Sequence, residues 1–512
     1  MKKTLTIFAL VFSFLSCGCE KNPANDGGAE KEKLNETVVA EFSMHSCLQD
    51  NMVLQRESDF VLWGKAEEGV KVFVRPSWND ERYEGQATAE GIWEVKVPVP
   101  AAIEGNPAQT MKVYNSKSEY MLENLLIGDV WILGGQSNMG ISLSGSENPN
   151  AEIASANHPL MRYYMVHQSG VNNPLFDWTT INQGHSWVSV NSTNADWISA
   201  IGYYFAKKVI AETGVPVGMI NTSMGGASIK SYIPADVFDA DQELVENFKD
   251  LTPGRLYNSM VYPVERFACK GFLWYQGEAD WMQWNHYAHA QLVLMEHWRE
   301  SFNCPDDAPF YYVQLAPYGH SKGWDYPNVF YESSYIQNYA LMREAQGSIR
   351  DLTANTGMAV IMDVGDLDDI HPKKKAEVGD RLARIALNRD YGMTDVEYMG
   401  PVYKSKTLEG GVLKLKFDNA AGLKTKDGQA PEHFYVSTAA ESVFSAVTAE
   451  IHGEEVWLTS ELISAAESAD ALHVRYAFLY AAETNLENGA GLPAEPFRTD
   501  NWDNNESVKY IY

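Results

Sequence analysis

Cysteine is scarce in this chain: five residues among 512, too few for a disulfide scaffold. Cys47, Cys269 and Cys304 show no metal-ligand spacing and are expected to be buried free thiols. Basic side chains are outnumbered, 40 Lys and Arg against 68 Asp and Glu. The formal net charge of −28 excludes a general footprint for nucleic acid, whose phosphates such a surface repels. The apolar stretch at residues 5–15 falls short of the roughly 20 residues that a membrane span needs. Internal repeats and low-complexity runs are missing outside residues 20–36. What is present is ordinary for a globular protein: 45% hydrophobic and 21% charged residues. Single cores stop growing at roughly 250–300 residues, so two or three domains are expected. Aromatics reach 12%, with 14 Trp and 27 Tyr, which suits flat ligands such as sugars and equally suits packing in large β-rich cores.

Lys2 and Lys3 precede the apolar stretch 5–15, and Ser16-Cys17-Gly18-Cys19 follows it. A basic start, a short apolar run and then small residues form a signal peptide, so the mature protein is expected to be exported. A cysteine directly after the small residues resembles a bacterial lipoprotein signal, with Cys17 or Cys19 as the lipidated residue. Residues 20–36 carry almost no large apolar side chains and read as a flexible tether. The division expected is therefore a signal at 1–18, a tether at 19–37, a β-sandwich at 38–126, an α/β domain at 127–400 and a second β domain at 401–512.

The first β block rests on short apolar or alternating runs at 60–62, 70–74, 93–97 and 111–114, separated by Gly, Asn and Pro. From 127 the texture changes to buried-strand runs at 130–133, 217–221, 272–275, 311–315 and 360–364. Helical stretches at 197–212, 281–302 and 335–347 alternate with them. After Pro372, Val378, Leu382 and Ile385 fall on one helix face. Strands alternating with helices imply a parallel sheet covered on both sides. Short strands return at 413–417, 456–458 and 472–476.

In an open parallel sheet, ligands bind beyond the carboxyl ends of the strands. Four of these strands run straight into polar loops: Gly134-Gly135-Gln136-Ser137-Asn138-Met139, Thr222-Ser223-Met224-Gly225-Gly226, Gln276-Gly277-Glu278-Ala279-Asp280, and Gly365-Asp366-Leu367-Asp368-Asp369-Ile370-His371-Pro372. Each alone is weak evidence; four at one sheet edge are strong.

Ser137 follows two glycines, where the backbone turns tightly and presents a small hydroxyl; a Ser capping the next helix has the same look. The motif is not a Gly-x-Ser-x-Gly elbow, because Met139 stands at the second glycine position. His371 is the candidate base. Asp368, three residues before it, is the choice for the carboxylate that orients the ring, with Asp369 as the alternative; either acid also suits a helix N-cap. Oxyanion donors are sought in the Ser137 N–H, a Gly225 or Gly226 N–H and the Gln276 amide, each worth about 3–4 kcal/mol in an acyl transfer. Gln276 and Glu278 also suit a buried pair that ties two loops. Glu278 as a second carboxylate keeps a glycosidase reading open. The twelve His are scattered, and the pair His286/His289 reads as surface or helix packing, so no metal site is expected.

Gly135-Gln136-Ser137-Asn138-Met139, Trp274-Tyr275-Gln276-Gly277-Glu278 and Asp368-Asp369-Ile370-His371-Pro372 resemble the sialate O-acetylesterases of the SGNH hydrolase superfamily, relatives of carbohydrate acetylesterases acting on xylan. The resemblance extends to Asn51-Met52-Val53-Leu54-Gln55-Arg56 near the start and to Gly491-Leu492-Pro493 with Pro496-Phe497-Arg498-Thr499-Asp500 near the end. It implies an SGNH-type α/β/α sandwich flanked by N-terminal and C-terminal β domains. It also implies Ser137 as nucleophile, His371 as base, Asp368 as orienter and oxyanion donors at Ser137, Gly225 or Gly226, and Gln276, with Glu278 and Asn138 in support and no cofactor. Met224 stands where many relatives have Trp, and Ala279-Asp280 where Ser-Asn is usual. The stretch 236–257 is too short to hold the β domain that some relatives insert there.

The implied substrates are O-acetylated sialoglycans or other acetylated glycans, with membrane contact only through the lipid anchor. A sialic acid carries a carboxylate that needs a local cation in so acidic a protein; Arg255 and Lys230 are the candidates, and Met224 and Trp281 are candidate pocket walls. A neutral acetylated xylan or pectin needs neither cation. The competing class is a non-catalytic carbohydrate-binding lipoprotein, which has no use for Ser137, His371 and Asp368 together.

Overall fold

The computed structural model describes residues 42–511 apart from 80, 179–185, 250–251, 320–328, 333, 439–442 and 503–507. The signal, the tether, Cys17 and Cys19 lie outside the described residues. Ala40–Tyr512 is one compact unit of α/β structure, with a large mixed sheet and additional β sheets.

The strand Glu119–Gly135 is the hub. Its first part pairs antiparallel with Gln109–Tyr114, its middle runs parallel to Val53–Gln55, and its last part lies between the parallel strands Val217–Asn221 and Gly271–Tyr275. Burial changes accordingly. Mostly exposed residues at the start give way to unbroken burial from 125 to 135, as a strand covered on both faces requires. The boundary drawn at 126/127 thus falls inside one continuous strand.

Across the large sheet the order is Val188–Asn191, Asn157–Met165, Val217–Asn221, Glu119–Gly135, Gly271–Tyr275, Phe310–Val313 and Thr356–Ala359. All neighbours are parallel except the edge pair Val188–Asn191 and Asn157–Met165. Two sequence expectations are corrected here. The last strand is Thr356–Ala359 rather than 360–364. The latter run is mostly buried but leaves the ladder, and the Val360 carbonyl and Asp363 carboxylate are taken by Arg381. Asn157–Met165 carries His158 and Arg162 among its apolar residues and was not expected as a strand.

Four long helices accompany the sheet: Ala200–Thr213, Trp284–Ser301, Ser334–Leu352 and Lys375–Arg389. Ser199 starts the first by accepting the Gly202 N–H at 3.2 Å, and Gly214 ends it in the left-handed conformation. This helix packs on Lys375–Arg389 at Gly379, where a Cβ would stand 2.7 Å from the Tyr204 Cβ. Trp131, Trp274 and Trp298 are wholly buried in the core, and rings of this size dominate core energetics by burying roughly 150–250 Å² each.

The outlying sheets follow the alternating runs. Ser58–Lys65 pairs antiparallel with Ile92–Val99 along its whole length, and Lys71–Pro76 pairs with Tyr83–Gln86 and Gln109–Tyr114. Toward the C-terminus, Val402–Glu409, Val412–Asp418, Glu455–Thr459 and Thr448–His452 form a four-stranded antiparallel sheet. A second sheet there is built on Phe434–Thr438 and Leu472–Tyr476. Among the described residues no helix is long and apolar enough to cross a membrane.

Candidate active site

The turn after Glu119–Gly135 is made by a glycine that no other residue replaces. Gly135 has φ +119°, and a Cβ there would sit 2.1 Å from the Tyr275 carbonyl oxygen. That carbonyl accepts the Gln136 N–H at 2.9 Å, and Ser137 then opens the short helix Ser137–Gly140. The half-buried Ser137 Oγ lies 2.8 Å from His371 Nε2, although 234 residues separate them. Serine and histidine are thus brought together at the carboxyl edge of the sheet.

Of the two acids weighed as orienter, Asp369 approaches the ring. Its Oδ1 is 3.7 Å from His371 Nδ1 and accepts the His371 backbone N–H at 2.9 Å. Asp368 is exposed, and its own N–H donates to Asp366 Oδ1 at 3.0 Å. The turn is held by side chain to backbone bonds from Asp366 and Asp369.

The Gly225-Gly226 loop is fastened to the strand that leads to Ser137. The Met224 N–H donates to the Gly135 carbonyl at 3.0 Å, and the Tyr232 hydroxyl lies 2.8 Å from both the Gly135 and the Thr222 carbonyls. A Cβ on Gly225 would be 3.9 Å from the Ser137 Cβ. Within the described residues neither glycine N–H makes a hydrogen bond, and both glycines are exposed. Gly225 is thus the loop glycine that lies beside Ser137, while a Cβ on Gly226 would have nothing within 4 Å.

Gln276 does not. The residue is wholly buried, and its amide N–H bonds go to the Ala227 carbonyl at 3.1 Å and to Asp280 Oδ2 at 2.6 Å, while its Oε1 accepts from the Tyr287 hydroxyl at 2.7 Å. Nothing of the amide is left for an oxyanion; Gln276 anchors the glycine loop instead. Asp280 completes that anchor by accepting Ser228 Oγ at 2.6 Å and the Ile229 N–H at 2.7 Å. Burial raises the Asp280 carboxyl group against these donors.

Asn138 and Glu278, the two residues expected in support, bond to each other. Asn138 Nδ2 donates to Glu278 Oε1 at 2.5 Å and to the Ile370 carbonyl at 3.0 Å. Asn138 Oδ1 accepts from Lys375 Nζ at 2.5 Å. Burial raises the Glu278 carboxyl group, and its Oε2 has no hydrogen-bond partner among the described residues. Burial lowers Lys375 to about 7, opposed by the Glu278 and Asp369 charges. Lys375 was missed because Lys373-Lys374-Lys375 looks like a solvated run. It lies three residues before Val378, on the stripe that continues through Leu382 and Ile385, and that register was the available signal.

The four candidate substrate contacts separate. Lys230 is buried, with its ammonium donating to the Phe248 carbonyl and standing 4.6 Å over the Phe238 ring, so it is no surface cation. Arg255 is exposed and donates to the Gly170 carbonyl at 2.8 Å. Met224 is half-buried against the core, and Trp281 lies half-buried with its ring 5.9 Å from Tyr339. Cys47 and Cys269 are buried free thiols and Cys304 is a half-buried one. His286 and His289 pair with Glu243 at 2.8 Å and Asp241 at 2.7 Å. No group of three His, Cys, Asp or Glu that would hold a metal occurs among the described residues.

Fold and site define an α/β protein with a serine–histidine pair at the carboxyl edge of its large sheet and a glycine loop beside the serine. A family model described as "Carbohydrate esterase, sialic acid-specific acetylesterase" matches residues 127–388. The chain belongs to this family of carbohydrate esterases. It is 25% identical over 456 residues to sialate O-acetylesterase of Mus musculus, covering 76% of this chain and 82% of the mouse protein. The same enzyme of Homo sapiens is 26% identical over 429 residues, with 76% and 79% covered. A solved carbohydrate acetylesterase from Xanthomonas citri superposes with a TM-score of 0.78 at 33% identity, covering 90% of this chain and all of that one.

Proposed function

We propose that this protein is a serine O-acetylesterase that removes O-acetyl groups from sialic acids. The observation that carries the reading is the 2.8 Å contact of Ser137 Oγ with His371 Nε2, with Gly225 of the glycine loop beside Ser137. His371 takes the Ser137 proton as the oxygen attacks the acetyl carbonyl. The oxyanion is held by the Ser137 N–H and a Gly225 or Gly226 N–H, donors of a kind whose removal costs about 3–4 kcal/mol. The sugar hydroxyl leaves with the proton from His371. Water, deprotonated by the same ring, then releases acetate and restores the serine. Asp369 is the carboxylate assigned to steady the imidazolium, on its 3.7 Å approach to Nδ1. The SGNH-type three-layer arrangement and the division into 38–126, 127–400 and 401–512 belong to the same reading. So do export through the signal at 1–18 and lipid anchoring at Cys17 or Cys19.

A second substrate has one observation in its favour. Lys230 is buried, which leaves Arg255 alone of the two cations weighed for a sialic acid carboxylate, and a neutral acetylated polysaccharide such as xylan needs neither. Acetate release by the full chain from O-acetylated sialic acid and from acetylated xylan separates the two. Release from sialic acid supports the proposal; release from xylan alone moves the substrate and keeps the chemistry. Binding of either sugar without acetate release would put a non-catalytic carbohydrate-binding protein in its place.

A further inference from the structure

Lys375 occupies a place that nothing in simple folding favours. It is the first residue of the helix Lys375–Arg389, where the helix dipole opposes a positive charge, and it is fully buried. Its ammonium is held by three things: the Asn138 Oδ1 at 2.5 Å, the Tyr275 ring face at 5.6 Å, and the charges of Glu278 and Asp369. A buried amine kept against both penalties needs a reason beyond packing.

The reason lies in what Asn138 joins. Its amide has two N–H donors and one carbonyl, and all are engaged: Glu278 Oε1 and the Ile370 carbonyl on the nitrogen side, Lys375 on the oxygen side. A cation on one side and acceptors on the other leave this amide a single orientation. In that orientation Asn138, next to Ser137, is tied to Ile370, next to His371.

We propose that Lys375 is a positioning residue for the acyl transfer: it fixes the Asn138 amide, and through the Ile370 carbonyl it holds the His371 loop at the distance at which His371 meets Ser137. Lys375 touches neither substrate nor reacting atoms in this scheme. The proposal rests on the esterase reading above.

The test uses the full chain and 4-nitrophenyl acetate, whose leaving group makes no sugar contact. Lys375→Met is expected to lower kcat roughly 10²-fold, the scale of a 1 Å misplacement, with KM little changed. Lys375→Gln, which keeps an N–H donor for Asn138 Oδ1 without the charge, is expected to recover most of that loss. In a double-mutant cycle with Asn138→Ala the two losses are expected not to add, because both break one link. Thermal melting confirms that each variant folds, and Ser137→Ala in the same assay reads the esterase chemistry separately. A folded Lys375→Met with wild-type kcat overturns the proposal. So does a Gln variant as slow as Met, or a loss that adds fully to that of Asn138→Ala. If Lys375→Met does not fold, Lys375→Gln decides: kcat near the wild-type value beside a slow Asn138→Ala supports the proposal, and kcat as low as in Asn138→Ala overturns it.

Discussion

Asn138 Nδ2 donates to the Ile370 carbonyl at 3.0 Å, one residue after Ser137 and one residue before His371. Together with the 2.8 Å contact of Ser137 and His371 it makes two adjacent rungs between loops that lie 232 to 234 residues apart in the chain. Asn138 is buried, whereas Ile370, Ser137 and His371 are half-buried. In the proposed acyl transfer, the outer contact, Ser137 to His371, depends on geometry kept by the inner one, Asn138 to Ile370.

Asn138→Ala removes the inner rung. It leaves Glu278 and Lys375 buried without their shared partner, which is expected to cost about 2 kcal/mol of stability or more. The kcat should fall while KM stays near the wild-type value, because the lost interaction sets the attack geometry rather than sugar binding. Denaturant unfolding and steady-state kinetics on one preparation check both numbers.

Gln276→Glu asks whether that side chain is an anchor. The substitution sets a second carboxyl group where the amide now lies 2.6 Å from Asp280 Oδ2, in a buried site. Two carboxylates cannot both ionise there, so one folded-state pKa rises above its unfolded value. The folded state then holds a proton that the unfolded state releases, and stability falls as pH rises. The Tm deficit relative to wild type should be larger at about pH 8 than at about pH 5. An equal deficit at both would place the amide elsewhere.

Asp369→Asn and Asp368→Asn separate the two acids. The Asp369 variant should lose more kcat, since its carboxylate is the one 3.7 Å from Nδ1, with a loss of up to about 10⁴-fold if the pair behaves like a buried triad and less because both groups are half-exposed. Steady-state rates for the two variants decide; the reverse ranking returns the role to Asp368.

Arg475 and Asp500 form a bidentate pair at 2.8 and 2.7 Å with both side chains wholly buried, far along the chain from the serine. Burial alone would raise the Asp500 carboxyl, but Arg475, with Arg498 nearby, holds it below its ordinary value. Its contribution is therefore present at neutral pH and is lost as pH falls through that depressed value. Arg475→Leu should cost about 3–5 kcal/mol of stability in urea unfolding and leave kcat/KM at the wild-type value.

The strands and loops of the site were legible in the sequence where pattern alone decides them. Val217–Asn221 reads as a buried run with a polar loop behind it, and it is that strand. Ser137 and His371 were found from their positions after strands, and the structure brings them together. The errors came where periodicity does not discriminate. The apolar run 360–364 reads as a strand but lies after Thr356–Ala359, because backbone hydrogen bonding rather than hydrophobicity ends the ladder. Gln276 has the residue type of an oxyanion donor; Ala227, Asp280 and Tyr287, brought to it by the fold, decide where its amide points. Lys375 was hidden in a lysine run, although its helical register with Val378 and Leu382 places it on the buried face.

The central claim is a serine acyl transfer, and acetate release by Ser137→Ala from the substrate that the wild type turns over tests it most directly. With fold and melting temperature intact, the rate should fall by about 10⁴-fold or more, as loss of a catalytic serine does elsewhere. A variant that keeps acetate release within about tenfold of wild type would contradict the account, because water would then be attacking without the serine.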